Sequence, residues 1–127
     1  MKYKTSELAD ALLDAAVAKA EGMTKRSLRV GVPPKFLARD APFECNATED
    51  GEHGDEFQPS DRWDHGGPII ERERIDIEYE SDMGIHDWTA THPGGEGRMP
   101  KNGHGPTTLV AAMRAFIRAR LGDEVDL

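Results

Sequence analysis

Two stretches of the chain space their apolar residues as helices do, and several shorter ones alternate them as strands do. Near the N-terminus Leu8, Leu12, Ala15 and Ala16 share a stripe with Leu13 beside it, which predicts a helix over residues 6–21. Thr5 or Ser6 can cap it, Glu7 and Asp10 suit its positive end, and Gly22 offers a left-handed stop. Near the C-terminus Leu109, Ala112, Met113, Phe116 and Ile117 form a second stripe, continued by Leu121. Thr107 or Thr108 caps that helix, Gly122 ends it, and Arg114, Arg118 and Arg120 crowd the half where cations oppose the dipole. The acidic tail that follows reads as a short edge strand or a loose end.

Alternation marks the strands. Residues 27–32 set Leu28, Val30 and Val32 against Ser27, Arg29 and Gly31, and Pro33-Pro34 ends the run. Residues 35–43 fit either a short strand or a covering loop. Ile75, Ile77 and Tyr79 alternate cleanly with Asp76, Glu78 and Glu80. Residues 81–84 read as a hairpin connection and 85–91 as the returning strand, with Trp88 its heaviest packing group. In the central segment 57–80, Ser60 is expected to cap a single helical turn that points Trp63 inward. Gly66-Gly67-Pro68 reads as a turn and Ile69-Ile70 as buried. An unbroken strand from Ile69 to Tyr79 would put Glu71 and Glu73 on the apolar face, where unpaired carboxylates are costly. A turn near Arg72 to Arg74 is the favoured reading, and a polar pocket around those acids is the other. Two segments lack any period: the acidic run 44–56, and the Gly/Pro-rich run 92–105, which is expected to be disordered. The sum is a single α+β domain over 1–127, a small mostly antiparallel sheet packed by N- and C-terminal helices with long irregular loops.

Composition narrows the function. A chain of 127 residues suits one domain. An apolar share of 37% and a mean hydropathy of -0.65 indicate a compact core with a large irregular remainder. The net charge of -8 disfavours non-specific nucleic-acid binding, which needs clustered Lys and Arg. Cys45 is the only cysteine, so no intrachain disulfide forms, which fits a reducing compartment. No apolar run approaches ~18 residues and none follows the first lysines, so neither a membrane span nor a secretory signal is expected. A cytoplasmic location is the simplest reading.

No catalytic signature stands out. His53, His65, His86, His92 and His104 lack zinc spacing, and H-E-x-x-H and G-x-S-x-G are absent. Glu49, Asp50, Glu52, Asp55 and Glu56 lack the order of a calcium loop and read as a solvated segment. Gly94-Gly95-Glu96-Gly97 is not a Walker loop. No metal, cofactor or catalytic residue is therefore expected. Two places suit an anion. One is the start of the last helix at Thr107 and Thr108, with His104, Lys101 and Arg98 upstream. The other joins the face of Trp63, the bare backbone of Gly66 and Gly67, and Arg72 or Arg74. The plain alternative makes Trp63 core, the glycines a turn and the arginines partners of nearby acids.

The opening KTSELADALLDAAVAKAEG, the central PSDRWDHGGPIIERERI, Trp88 and the closing GPTTLVAAMRAFIRARLGDEV resemble NinX-type proteins of tailed phages and prophages. Thr108 stands where such proteins often have proline, and 39–56 reads as a variable insertion. The resemblance implies a small phage accessory protein in the host cytoplasm and carries over no reaction or catalytic residue. Phe57, Pro59-Ser60 and Trp63 are also loosely similar to small phage proteins that sequester nucleotide-derived immune signals. The leading expectation is a non-enzymatic binder of a small anionic, nucleotide-like ligand that counteracts host defence, using Trp63, Gly66, Gly67, Arg72, Thr107 and Thr108. The alternative is an interaction module, a homodimer among its forms, that inhibits or redirects a host protein. A hydrolase using Glu71 or Glu73 with a histidine ranks third.

Overall fold

The C-terminal stripe forms α3 (Thr108–Leu121), against which the other elements are laid. Thr107 caps it as expected, its hydroxyl accepting the Val110 N–H at 3.2 Å, and Gly122 follows its last turn at φ +95°. The computed structural model describes residues 2–23, 36–44, 56–81, 86–95 and 97–127. In chain order the other elements are β1 (Lys2–Lys4), α1 (Asp10–Ala20), α2 (Trp63–Glu73), β2 (Asp76–Glu80), β3 (Asp87–His92), β4 (Lys101–Gly105) and β5 (Glu124–Asp126). Single 3-10 turns lie at Thr5–Glu7 and Ala38–Asp40. The fold is α+β. Among the described residues an antiparallel sheet in the order β2-β3-β4 is joined by a two-stranded ribbon of β1 with β5.

The core gathers Leu13 and Val17 of α1, Ile69 of α2, and Met113, Phe116 and Ile117 of α3, all shut off from solvent. Sheet and helix meet unusually closely. Gly103 and Gly105 of β4 face α3. A Cβ on Gly103 would overlap the Ala111 carbonyl oxygen and the Ala115 amide nitrogen, and one on Gly105 would lie 2.6 Å from a Val110 methyl. A bare strand lets the helix backbone rest directly on the strand backbone.

Several expectations change. The first helix starts at Asp10 rather than Ser6, because Leu8 and Ala9 stay extended and Thr5 gives its hydroxyl to the Gly122 carbonyl at 2.7 Å. Gly66-Gly67-Pro68 is not a turn but the middle of α2. Gly66 is there for close approach, since a Cβ on it would lie 2.8 Å from Leu109 Cδ2 and would overlap the Pro59 carbonyl oxygen. Trp63 does not point inward: it opens α2 and is 56% exposed. The run 92–105 is not wholly irregular, because its last five residues are β4. The break near Arg72 to Arg74 is real. Helix α2 ends at Glu73, and Arg74 takes the left-handed conformation at φ 57°, which sends Ile75 into the core and starts β2. The strand predicted over 27–32, Cys45, His53 and most of the acidic run lie outside the described residues.

The two neighbouring glycines of α2 should respond differently to substitution. Beyond its chain neighbours a Cβ on Gly67 meets only Trp63 Cε3, at 3.7 Å. Gly67→Ala should therefore change stability by less than about 1 kcal/mol, because the gain in helix propensity is opposed by the clash of a Cβ with the ring of Pro68 that follows. Gly66→Ala and Gly103→Ala should each destabilise by roughly 1–3 kcal/mol through overpacking. Urea denaturation midpoints of the three variants check this.

Candidate functional site

The structure brings some of the sequence-selected residues together and separates others. Gly66 packs on Leu109, so the first turn of α2, with Trp63 and Gly67, adjoins the start of α3 at Thr107 and Thr108. Arg72 lies at the far end of α2, more than two turns from Trp63. Its guanidinium donates to Glu21 and to Glu73, at 2.9 Å for the latter, and these acids hold it above its ordinary range.

That arginine belongs to a structural hub. Glu73 also accepts from Arg120 at 3.0 Å and from His92 Nε2 at 3.1 Å. Burial alone would raise the Glu73 carboxyl, but the hydrogen bonds from His92, Arg72 and Arg120 outweigh it and hold the group at about 2. Arg72 and Arg120 both lie over the Phe116 ring, at 5.8 and 5.4 Å from its centre. One carboxylate thus ties α2, β3 and α3 together. The Glu73–His92 pair cannot serve as an acid–base couple, because the other ring nitrogen of His92 accepts the Gly94 N–H at 2.9 Å. His65 is buried in the core, stacked on Phe57 at 5.7 Å, and its Nδ1 accepts the Gln58 N–H. Among the described residues no cluster of three or more His, Cys, Asp or Glu can hold a metal.

A cleft of about 520 Å³ opens elsewhere, between the outer edge of β4 and the segment Lys4, Thr5 and Ser6. Helix α3 contributes Arg114 and Arg118, four residues apart and so on one face. Arg114 donates from Nε to the Leu8 carbonyl at 2.9 Å and from Nη1 to the His104 carbonyl at 2.7 Å. Arg118 donates to Asp123 at 2.6 Å and reaches the Asn102 carbonyl at 3.4 Å. The two arginines therefore cover the outward carbonyls of an edge strand. They differ in charge balance. Arg118 has Asp123, whereas no carboxylate among the described residues lies within ion-pair distance of Arg114. Burial pushes the Arg114 guanidinium down from its ordinary range, against the charge of Asp87. Lys4 adds a cation to the walls; Asp87, Asp123 and Glu124 add anions.

Of the residues selected from sequence, His104 borders this cleft, while Trp63, Gly66, Gly67, Arg72, Thr107 and Thr108 do not. Arg114 was legible only as a cation near a helix C-terminus. Its spacing from Arg118 was the available signal, and it gained meaning only with β4 in place beside it.

The chain matches the family described as Bacteriophage P22, NinX over residues 4–120, and it belongs to that family. No curated protein matches it. Among the described residues no helix is long and apolar enough to cross a membrane.

Two carboxylates set the acid side of stability in opposite directions. Burial pushes Asp14 up to about 6, against the hydrogen bond it accepts from the Ser60 N–H at 2.9 Å. A raised pKa means the folded state holds the proton more tightly. The Asp14 contribution is complete below its unfolded value of 3.8 and is lost as pH rises through 6. Glu73, depressed from 4.5, contributes above that value and loses its contribution as pH falls towards 2. Stability should therefore rise on acidification from neutrality, peak near pH 4–5 and then fall. Asp14→Asn should remove the rise, which amounts to at most about 3 kcal/mol. Denaturant titrations across pH 3–8, about the range these groups span, measure it.

Proposed function

We propose that this protein is a non-enzymatic phage accessory factor that holds a small anionic ligand in the cleft between α3 and the edge of β4. The observation that carries this reading is Arg114, a half-buried guanidinium on the wall of that cleft that, among the described residues, is bonded only to backbone carbonyls. Removing a cation from water without an opposing charge is costly. An incoming phosphate or carboxylate would supply that charge and accept hydrogen bonds from the guanidinium fork.

The volume lies within the range of small-molecule sites. Asp87 and Glu124 on the same walls add a requirement, namely donors elsewhere on the ligand. A nucleotide meets both conditions, with its phosphate at Arg114 and amino groups of its base towards the acids. Sequestration without turnover is the activity we assign: no metal cluster is present among the described residues, and the Thr5 hydroxyl on the cleft wall is committed to the Gly122 carbonyl. Membership of the NinX family supports the phage setting. Counteracting a host defence that signals with small nucleotides is the role such binding would serve.

Thermal and chemical denaturation with linear and cyclic nucleotides, and with inorganic phosphate, tests the proposal. A ligand present at a hundred times its Kd should stabilise by about 2.7 kcal/mol. Arg114→Gln should abolish the response. Arg72→Gln, which loosens the hub and leaves the cleft intact, should retain it. A flat response of the unsubstituted protein to every probe would overturn the reading.

A further inference from the structure

We propose that the edge of β2 that no described strand covers is a docking site for an extended basic segment of a partner protein, which adds to the sheet as a fourth strand. The pairing pattern fixes which backbone groups are free. The carbonyls of Asn102 and His104 point out of the sheet, since they accept from Arg118 and Arg114. Backbone direction alternates along an antiparallel strand. In the observed register Gly103 and Gly105 therefore bond to Ala90 and Trp88, and Thr89 and Thr91 bond to Glu78 and Asp76. That leaves the N–H and C=O groups of Ile77 and Tyr79 directed away from the sheet, and no described strand pairs with them.

The two edges of this sheet are treated differently. The β4 edge is covered by two arginines. The β2 edge has no lysine, proline or bulge; its guard against strand addition is negative charge, which repels an acidic strand and would be neutralised by a basic one. Its open face instead carries Asp76, Glu78 and Glu80, all exposed and without an ion pair among the described residues. Glu80 sits directly opposite Asp87 in register, a like-charge pair that works against folding. On the other face Tyr79 is 52% exposed, its ring 4.9 Å from that of Trp88, beside half-buried Ile77.

These features specify the occupant. A strand laid along β2 places alternate side chains opposite Asp76, Glu78 and Glu80, where Lys or Arg relieves the repulsion. The intervening ones fall beside Ile77 and Tyr79, where apolar groups gain cover. A second copy of the chain fits badly, because pairing β2 with itself sets acid against acid. Nucleic acid is repelled by the same charges.

The test uses a synthetic peptide alternating Lys or Arg with Val or Ile, an alternating acidic counterpart, and amide hydrogen exchange on the full chain. The basic peptide should slow exchange at Ile77 and Tyr79, and the acidic one should not. The double variant Glu78→Lys with Glu80→Lys should lose at least about tenfold in affinity for the basic peptide and gain affinity for the acidic one. Circular dichroism confirms that this exposed double variant folds. No protection by the basic peptide, equal protection by both peptides, or slow exchange at these amides before any peptide is added would each overturn the proposal.

Discussion

Helix α3 lies on strand β4 at a separation that no side chain on Gly103 or Gly105 would allow. The rest of the architecture follows from that contact. With the two backbones so close, the far side of α3 reaches α1 and α2, and Phe116 becomes shared core. The same closeness brings Arg114 and Arg118 level with the outward carbonyls of β4, which four-carbon-distant cations on a helix held a layer higher would not reach. The cleft is a by-product of omitted side chains.

The constraint also explains what the sequence shows and what it hides. Both terminal stripes, the β2–β3 pair and the cap at Thr107 are legible, because each rests on local periodicity or on a local hydrogen bond, whereas the tail, read as strand or loose end, becomes β5 only through its distant partner β1. Strand β4, with the sequence KNGHG, has no period and reads as loop. Its glycines carry tertiary information: they mark where another backbone must pass. Gly66 in α2 repeats the lesson, since glycine followed by Gly-Pro signals a turn locally while Pro59 and Leu109 demand a bare position. Trp63 looked like core by size alone, but it opens α2 on the side away from the packed stripe.

Three electrostatic regimes coexist in one small acidic chain. Glu73 is surrounded by donors, and its charge is fully used in joining α2, β3 and α3. Arg114 has hydrogen bonds and the more distant charge of Asp87, but no ion pair among the described residues. The acids of β2 have no ion-pair partner among the described residues, and no described strand covers the side of β2 away from β3. Saturated charges hold the fold together. The unsaturated ones sit on the wall of the cleft and along the outer edge of β2, and so the candidate site could not be found from charge totals or from arginine counts. Arg72, a candidate for the ligand in the sequence, is paired with Glu21 and Glu73 in the structure.

The ribbon of β1 with β5 pairs Lys2 with Asp126 and Lys4 with Glu124, and the Thr5 amide is bonded to the Asp123 carbonyl. Strands this far apart along the sequence close one loop around every other described element. Closing so long a loop costs entropy that the intervening core must already have reduced, so the ribbon is a clasp fastened on a chain that has largely collapsed.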